Sequence, residues 1–207
     1  MPKYVDPEAR RRDVVDALFR VVVRDGLQRA SLRAVADEAG LNIGSLRHYF
    51  AGQQELMDFA MQSMLDRLGA RLLRRVEEIG ELGGHPRPEQ LRLAVELLAE
   101  LLPLDEVRRA EVAVFLDFST AARTSPEFAG LARRTAVGAR ELVRRVLGRL
   151  DACGALRAGL DLGAETERLT ALLDGLGMTA VLHPDLLGAQ ACLSVLRGHV
   201  GELAAAA

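Results

Sequence analysis

The chain has 207 residues, of which 49% are hydrophobic and 27% are charged, and its formal net charge is −2 at pH 7. This composition is that of a globular protein, and it excludes the disordered, collagen-like and membrane-spanning classes. Aromatic residues make up only 4% of the chain, so the core is expected to consist of Leu, Val and Ala in helices. Two cysteines are too few for a disulfide framework, and no secretion leader begins the chain, so we expect a cytoplasmic protein without a membrane partner.

The first predicted helix begins with Asp6 as its N-cap, Pro7 in the first turn and Glu8 at the positive end of the helix dipole. Gly26 ends it. Between these signals, apolar residues recur at the spacing of one helix face, namely at Val14, Ala17, Leu18, Val21 and Val22.

Two short helices are predicted next. Ser31 caps the first, which ends at Gly40, and Asn42 caps the second, which runs to about Tyr49. A long helix then extends to about Ile79, followed by a loop rich in glycine and proline over residues 80–88. Further helices are predicted at Pro88–Leu102, Asp105–Arg123, Pro126–Leu150, Ala164–Leu182 and Pro184–Leu203, with a frayed tail at Ala204–Ala207. The sequence therefore predicts an all-α protein of about nine helices.

The segment from Ser31 to Phe50 has the spacing of a helix-turn-helix, because two capped short helices and a tight turn occupy twenty residues. Leu46 and Phe50 lie four residues apart and are expected to face inward, with Leu41 filling the turn. The outer face of the second helix is then left with two pairs spaced four residues apart, Ile43 with Arg47 and Gly44 with His48.

This outer face suits a DNA groove. Glycine at position 44 removes bulk, Ser45 and the N–H groups at the helix terminus can meet phosphate, and Arg47 can donate two hydrogen bonds to guanine or to a phosphate. Ile43 is placed to touch a thymine methyl group. Residues 1–56 carry nine basic against eight acidic residues, so a DNA-binding function has to depend on where the charges lie rather than on their total.

Residues 1–56, with the first helix ending at Gly26 and the run ASLRAVADEAGLNIGSLRHYF followed by AGQQEL, resemble the TetR family of bacterial one-component transcriptional regulators. The resemblance implies a DNA-binding domain over residues 1–56, with its helix-turn-helix at 31–50. It also implies a helical ligand-binding and dimerisation domain over residues 57–207. The expected partners are double-stranded, pseudo-palindromic operator DNA, an unknown small effector, and a second copy bound through the last two helices.

By matching position, the resemblance assigns Ser31 and Arg33 to the DNA backbone and Tyr49 to a phosphate. The full predicted DNA-binding set is Ser31, Arg33, Asn42, Ile43, Gly44, Ser45, Arg47, His48 and Tyr49. Two residues depart from the family pattern: Arg47 replaces a common Tyr, and Gln53 replaces a Lys that commonly lies near a phosphate. Base preference and phosphate contacts are therefore expected to differ from those of typical members.

Several other groups have two interpretations. The arginines at positions 10, 11 and 12 are either an arm that reaches DNA or a solvated first turn. An effector site is predicted at Met61, Met64, Phe115, Phe118 and Phe128, although ordinary core packing fits the methionines better. His183, Cys192 and His199 lie nine and seven residues apart and do not share one helix face, so we expect no metal site and no cofactor.

The sequence as a whole predicts a sequence-specific DNA-binding regulator, acting as a repressor that a small effector releases from its operator. No catalytic motif is found, so no enzymatic activity is expected. The alternative is a helical small-molecule-binding or enzymatic protein with a vestigial DNA-binding head, or a module that only dimerises. Neither alternative explains the capped short helices and the groove-shaped outer face.

Overall fold

The structure, a computed structural model, describes residues 6–205 and contains nine α-helices within that range. They are α1 (Pro7–Asp25), α2 (Leu32–Glu38), α3 (Ile43–Tyr49), α4 (Gln53–Ile79), α5 (Arg87–Leu98), α6 (Glu106–Ala121), α7 (Pro126–Ala152), α8 (Leu162–Leu182) and α9 (Ala189–Glu202). Three one-turn 3₁₀ helices occupy Leu27–Arg29, Leu82–Gly84 and Ala99–Leu101. The prediction of an all-α fold with about nine helices is confirmed. None of the described helices combines the length and apolar character needed to cross a bilayer.

The two ends of α1 and the start of α2 lie at the capping residues that the sequence predicts. Asp6 Oδ1 accepts a hydrogen bond from the Glu8 amide at 3.0 Å, and Gly26 follows α1 with a φ of 83°, in the left-handed region that glycine tolerates. Ser31 Oγ accepts from the Ala34 amide at 3.2 Å to cap α2. The local chemistry of caps was therefore enough to set these boundaries.

The start of the last helix was predicted wrongly. Proline favours the first helical turn, yet residues after Pro184 form turns in which the Leu186 and Leu187 amides both donate to the His183 carbonyl. Gly188 is extended and precedes α9, which begins at Ala189. The helix therefore starts five residues later than the proline signal indicated.

The chain after α9 is also better ordered than predicted. The Ala205 amide donates to the Ala155 carbonyl at 2.9 Å, and Ala204 forms an isolated antiparallel bridge with Leu156. The expected fraying is wrong for these two alanines, because the loop after α7 supplies hydrogen-bond partners. The last two residues of the predicted frayed tail, 206 and 207, lie outside the described residues.

The chain divides into two compact units. Unit 1 contains Met1–Arg67 and Ala113–Ala132, and unit 2 contains Leu68–Val112 and Arg133–Ala207. The predicted split after residue 56 therefore falls within unit 1, which also includes a second stretch of chain. The assignment of DNA binding to residues 1–56 and of ligand binding and dimerisation to 57–207 remains a prediction.

Unit 1 has its own hydrophobic core. Buried side chains of the first four helices, such as Leu18, Leu46 and Leu56, share this core with Phe50, which follows α3, and with Phe118 of α6. Each such side chain contributes roughly 1.5–3 kcal/mol through its burial. The carboxylate of Asp117, the residue before Phe118, accepts a hydrogen bond at 3.1 Å from the amide of Leu27, just after α1. Part of α6 is thus an integral part of this unit.

Unit 2 combines an aliphatic core with a cluster of nearly buried ion pairs. Arg71 of α4 donates two hydrogen bonds to Glu111 of α6, at 2.6 and 3.0 Å, and a third to Glu100 at 3.1 Å. Arg75 and Arg108 also approach Glu100, at 3.4 and 3.7 Å. The hydrogen bonds from Arg71 to Glu111 raise the pKa of the Arg71 guanidinium above its usual value. These contacts link α4, α6 and the 3₁₀ helix that follows α5 within the unit.

Candidate DNA-binding surface

The two short helices α2 and α3 pack against the core of unit 1 through one face each. Val35 and Ala36 of α2 and Leu46 of α3 are buried, while Gly40 makes the turn with a φ of 66°. The amide of Leu41 donates to the carbonyl of Ala36 at 2.9 Å and closes the turn. This is the helix-turn-helix that the sequence predicts, held by apolar contacts on its inner side.

The outer side of α3 carries exposed polar and small residues. Gly44, Arg47 and His48 are exposed, as is Arg33 on α2. Neither Arg47 nor Arg33 makes an ion pair or hydrogen bond with any residue in the range 6–205. These unpaired guanidinium groups, one on each of the two short helices, are available for phosphate oxygens or guanine edges.

Three members of the predicted DNA-binding set are only partly accessible. Ile43 and Tyr49 are partly buried and pack against the core of unit 1, and Ser45 is also partly buried. The pair of Ile43 with Arg47 therefore does not form a fully exposed stripe. Helix periodicity predicts the angle between two side chains around the helix axis. It does not predict how much of the helix surface is buried against the core.

The N-terminal end of α3 is already capped. The side chain of Asn42 accepts a hydrogen bond from the Ser45 amide at 2.8 Å, so this N–H is not free for a phosphate. A Cβ atom added at Gly44 would lie 3.2 Å from Asn42 Oδ1. Glycine at this position therefore leaves room for the cap as well as for DNA.

The arginines near the start of α1 are held by local partners. Arg11 lies over the rings of Phe50 and Phe59, at 4.6 and 4.2 Å from their centroids, and pairs with Glu55 at 3.3 Å. Arg10 pairs with Asp13, and Arg12 lies 3.9 Å from Asp6. Arg11 thus fits neither a solvated first turn nor a free arm, since cation–π contacts anchor it to α3 and α4 within unit 1.

Two further polar contacts fix the surroundings of the motif. Gln53, which replaces the lysine common in the family, donates from Nε2 to the Ala30 carbonyl at 3.3 Å. Glu38 of α2 accepts hydrogen bonds from Arg20 and Arg24 of α1, at 2.7 and 2.8 Å. These hydrogen bonds lower the pKa of the Glu38 carboxyl below its usual value. The sequence alone does not indicate either contact, because the partners lie 14 or more residues apart in the chain.

The predicted effector residues all lie in unit 1. Met61, Met64 and Phe118 are buried in its core, with Phe115 and Phe128 packed against them. Phe118 and Phe128 meet edge to face, with ring centroids 5.2 Å apart. The five residues do come together, but as core packing, so their role in ligand binding remains a prediction.

The sequence missed a cleft in unit 2 that is lined by residues of α4, α5 and α7, including Arg149 of α7, and by Leu82 of the second 3₁₀ helix. No sequence motif marks it, since its walls are ordinary aliphatic positions brought together by packing. Among residues 6–205, no group of three or more His, Cys, Asp and Glu side chains is placed to hold a metal ion.

Comparison with protein families matches both ends of the chain. Residues 14–58 match the family described as bacterial regulatory proteins, tetR family. Residues 92–205 match the family described as BetI-type transcriptional repressor, C-terminal. Together the two matches cover most of the described chain.

Individual relatives agree with these matches. The chain is 32% identical over 203 residues to the HTH-type transcriptional regulator PksA of Bacillus subtilis, covering 98% of this chain and 94% of that one. A transcriptional regulator from Rhodococcus sp. RHA1 superimposes with a TM-score of 0.76 at 30% identity, over 96% of both chains. A regulator from Saccharomonospora viridis, solved in complex with choline, has the same fold, with a TM-score of 0.74 at 21% identity over 95% of both chains.

Proposed function

Because the chain belongs to the TetR family and is a DNA-binding transcriptional regulator, we propose that it acts as a homodimeric repressor that releases its operator on binding a small molecule. The observation that carries the proposal is the outer side of α3, where Arg47 and His48 are exposed on a helix whose other side is locked into the core. A rigid helix with unpaired polar groups fits a major groove.

The predicted DNA contacts divide by accessibility. Arg47 donates to guanine or phosphate, with His48 and Gly44 beside it in the groove, and Arg33 contacts the backbone from α2. Ile43 contributes its exposed part to a thymine methyl group, and the partly buried Tyr49 reaches a phosphate through its hydroxyl. Ser31 and Asn42 take part chiefly as caps that hold α2 and α3 at the required angle, and Ser45 presents its hydroxyl beside the capped end.

Dimerisation is proposed through the exposed apolar residues of the last two helices. Met178 and Leu182 on α8, Leu186 in the following turn and Val195 on α9 are 42–73% exposed. Arg109 donates to the carbonyls of the last turn of α8, at 2.7 and 3.0 Å, and so holds the end that carries Leu182. Exposed large apolar side chains on two successive helices are suited to burial in a self-complementary interface with two-fold symmetry.

A small-molecule response is supported by the family and by the choline-bound regulator described above. A ligand that binds one conformation of the dimer better than the other shifts the population away from the DNA-binding form. The relatives are regulators rather than enzymes, and we propose no catalytic role. Since a bacterial operator lies in the cytoplasm, the protein is proposed to work there.

The test is selection of bound duplexes from a random DNA library at about 0.15 M salt, where nonspecific phosphate binding is weakened. The proposal predicts two inverted half-sites with centres about 34–36 Å apart, or a multiple of one helical turn. Enrichment of one asymmetric site would contradict the dimer, and enrichment of no sequence would contradict the proposal as a whole.

A further inference from the structure

The arginines of residues 6–67 divide into a paired and an unpaired group. This stretch contains nine arginines and no lysine. Six of them form ion pairs with Asp or Glu side chains, namely Arg10, Arg11, Arg12, Arg20, Arg24 and Arg67. The guanidinium groups of Arg29, Arg33 and Arg47 make no ion pair or hydrogen bond with a described residue. The unpaired arginines are therefore confined to the helix-turn-helix and the turn that precedes it.

Arg29 is the member of this group that the sequence did not indicate. It ends the 3₁₀ helix Leu27–Arg29, where its amide donates to the Gly26 carbonyl at 3.1 Å and its carbonyl accepts from the Ser31 amide at 2.8 Å. The next residue, Ala30, is fully buried, whereas Arg29 itself is exposed. The backbone of Arg29 is thus fixed directly before α2 while its guanidinium is free.

The charges along α2 differ between its two ends. Arg29 and Arg33 lie at its start, and Asp37 and Glu38 lie at its end, where Glu38 is already bound by two arginines of α1. In a bound helix-turn-helix, the first helix crosses the DNA backbone while the second lies in the major groove. Phosphates are therefore favoured at the start of α2, where both of its free guanidinium groups lie, and disfavoured at its end.

We propose that Arg29 binds a DNA phosphate and acts with Arg33 as a two-point contact to the backbone, leaving base recognition to Arg47. The inference rests on the DNA-binding function proposed above and adds to it a residue of the same surface. A phosphate contact positions the protein on the duplex without reading sequence. It also releases condensed counterions, so its contribution is measured by the dependence of affinity on salt.

The start of α4 provides a second route to a positive charge at the same place. Gln53 is exposed, and its Nε2 donates at 3.3 Å to the carbonyl of Ala30, the residue next to Arg29. A lysine side chain introduced at this position carries an ammonium group close to the turn. Gln53→Lys should therefore compensate for the loss of charge in Arg29→Gln.

The test measures operator binding by fluorescence anisotropy over a range of salt concentrations, with the full chain and the duplex that the library selects. Each phosphate contact contributes about 0.9 to the slope of log K against log salt, so Arg29→Gln should make the slope shallower by about 1.8 for a dimer. Affinity should fall roughly 30-fold at about 0.15 M salt and converge with wild type towards about 1 M.

Two further variants serve as rescue and control. The double variant Arg29→Gln with Gln53→Lys should recover most of the lost slope. Arg134→Gln, which removes an exposed and unpaired arginine of α7 in unit 2, should leave the slope unchanged. Because the Arg29 side chain has no described partner, Arg29→Gln should unfold at the same temperature as wild type by circular dichroism.

An unchanged slope in Arg29→Gln would overturn the inference, as would an altered base preference or no recovery in the double variant. The same titrations on a duplex of unrelated sequence separate the inference from the repressor proposal, because phosphates are common to all sequences. Failure to select any operator would contradict the repressor proposal, whereas the slope on the unrelated duplex would still decide whether Arg29 binds the backbone.

Discussion

At the scale of single residues, the candidate surface depends on side chains that each have one clear local task. Asn42 caps α3, Arg11 packs on two aromatic rings, and Glu38 joins α2 to α1 through two arginines. The sequence predicts the first of these, because a cap lies within three residues of its partner. It does not predict the other two, because their partners are separated by many residues.

Glu38 makes a pH-dependent contribution to the stability of unit 1. Its pKa is lowered in the folded protein by hydrogen bonds from Arg20 and Arg24, so its contribution is complete above the ordinary glutamate pKa of about 4.3. It is lost as the pH falls below that value and through the folded pKa. Glu38→Gln should therefore lower Tm at pH 7, with a difference from wild type that shrinks under acid conditions.

The measurement is thermal unfolding followed by tyrosine fluorescence, since both tyrosines lie within the first 49 residues. The matched control is Asp37→Asn, which removes one charge from the neighbouring exposed position of α2. Equal and pH-independent effects of the two variants would contradict the assigned role of Glu38.

At the scale of helices, the caps and the apolar spacing were sufficient to predict α1, α2 and α3. They failed at α9, where Pro184 gives a helix-start signal that the turns after His183 override. The cap signals and the apolar spacing also could not distinguish a ligand-binding role from core packing at Phe118, because helical spacing does not show which atoms a side chain contacts. The cleft around Arg149 was missed for the same reason.

Asp117 of α6 should stabilise the turn after α1. Its carboxylate accepts from the partly buried Leu27 amide, so Asp117→Ala leaves that donor without its partner and should cost about 1–3 kcal/mol of unfolding free energy. Asp117→Asn keeps an acceptor oxygen and should cost less. Denaturant unfolding followed by tyrosine fluorescence measures both changes, and equal losses for the two variants would argue against the hydrogen bond.

Arg71 should be the most sensitive charged residue of unit 2. Its removal in Arg71→Met leaves two nearly buried carboxylates, Glu100 and Glu111, without their main partner, and such losses cost about 3–5 kcal/mol. The control Arg74→Met changes a neighbouring residue of α4 that lies outside this cluster. Circular dichroism during urea unfolding should show a large loss for the first variant only.

At the scale of the whole molecule, the proposed function requires two copies of the chain on one operator. The sequence predicts the last two helices as the interface, and buried and exposed positions separate clearly along α9. Leu196 is fully buried in the core of unit 2, whereas Val195 beside it is 42% exposed. A charge at Leu196 would therefore disrupt the fold rather than the interface.

Val195→Glu should convert the dimer to a monomer while leaving the helical content unchanged, because it places a charge on the proposed interface but outside the core. Analytical ultracentrifugation checks the mass, and circular dichroism checks the fold. Val137→Glu on α7, at a residue 54% exposed, is the matched control and should remain dimeric. Equal sedimentation of both variants would place the interface elsewhere.

In the proposed mechanism, α3 reads a two-fold symmetric operator through Arg47. The most direct test compares the sequences that wild type, Arg47→Ala and the control Arg134→Ala select from one random duplex library at the same salt concentration. We predict that Arg47→Ala relaxes the preference at one position in each half-site, by about 1–3 kcal/mol, with spacing unchanged and Arg134→Ala identical to wild type. An unaltered preference in Arg47→Ala, or a uniform loss of affinity for every sequence, would contradict base recognition by Arg47.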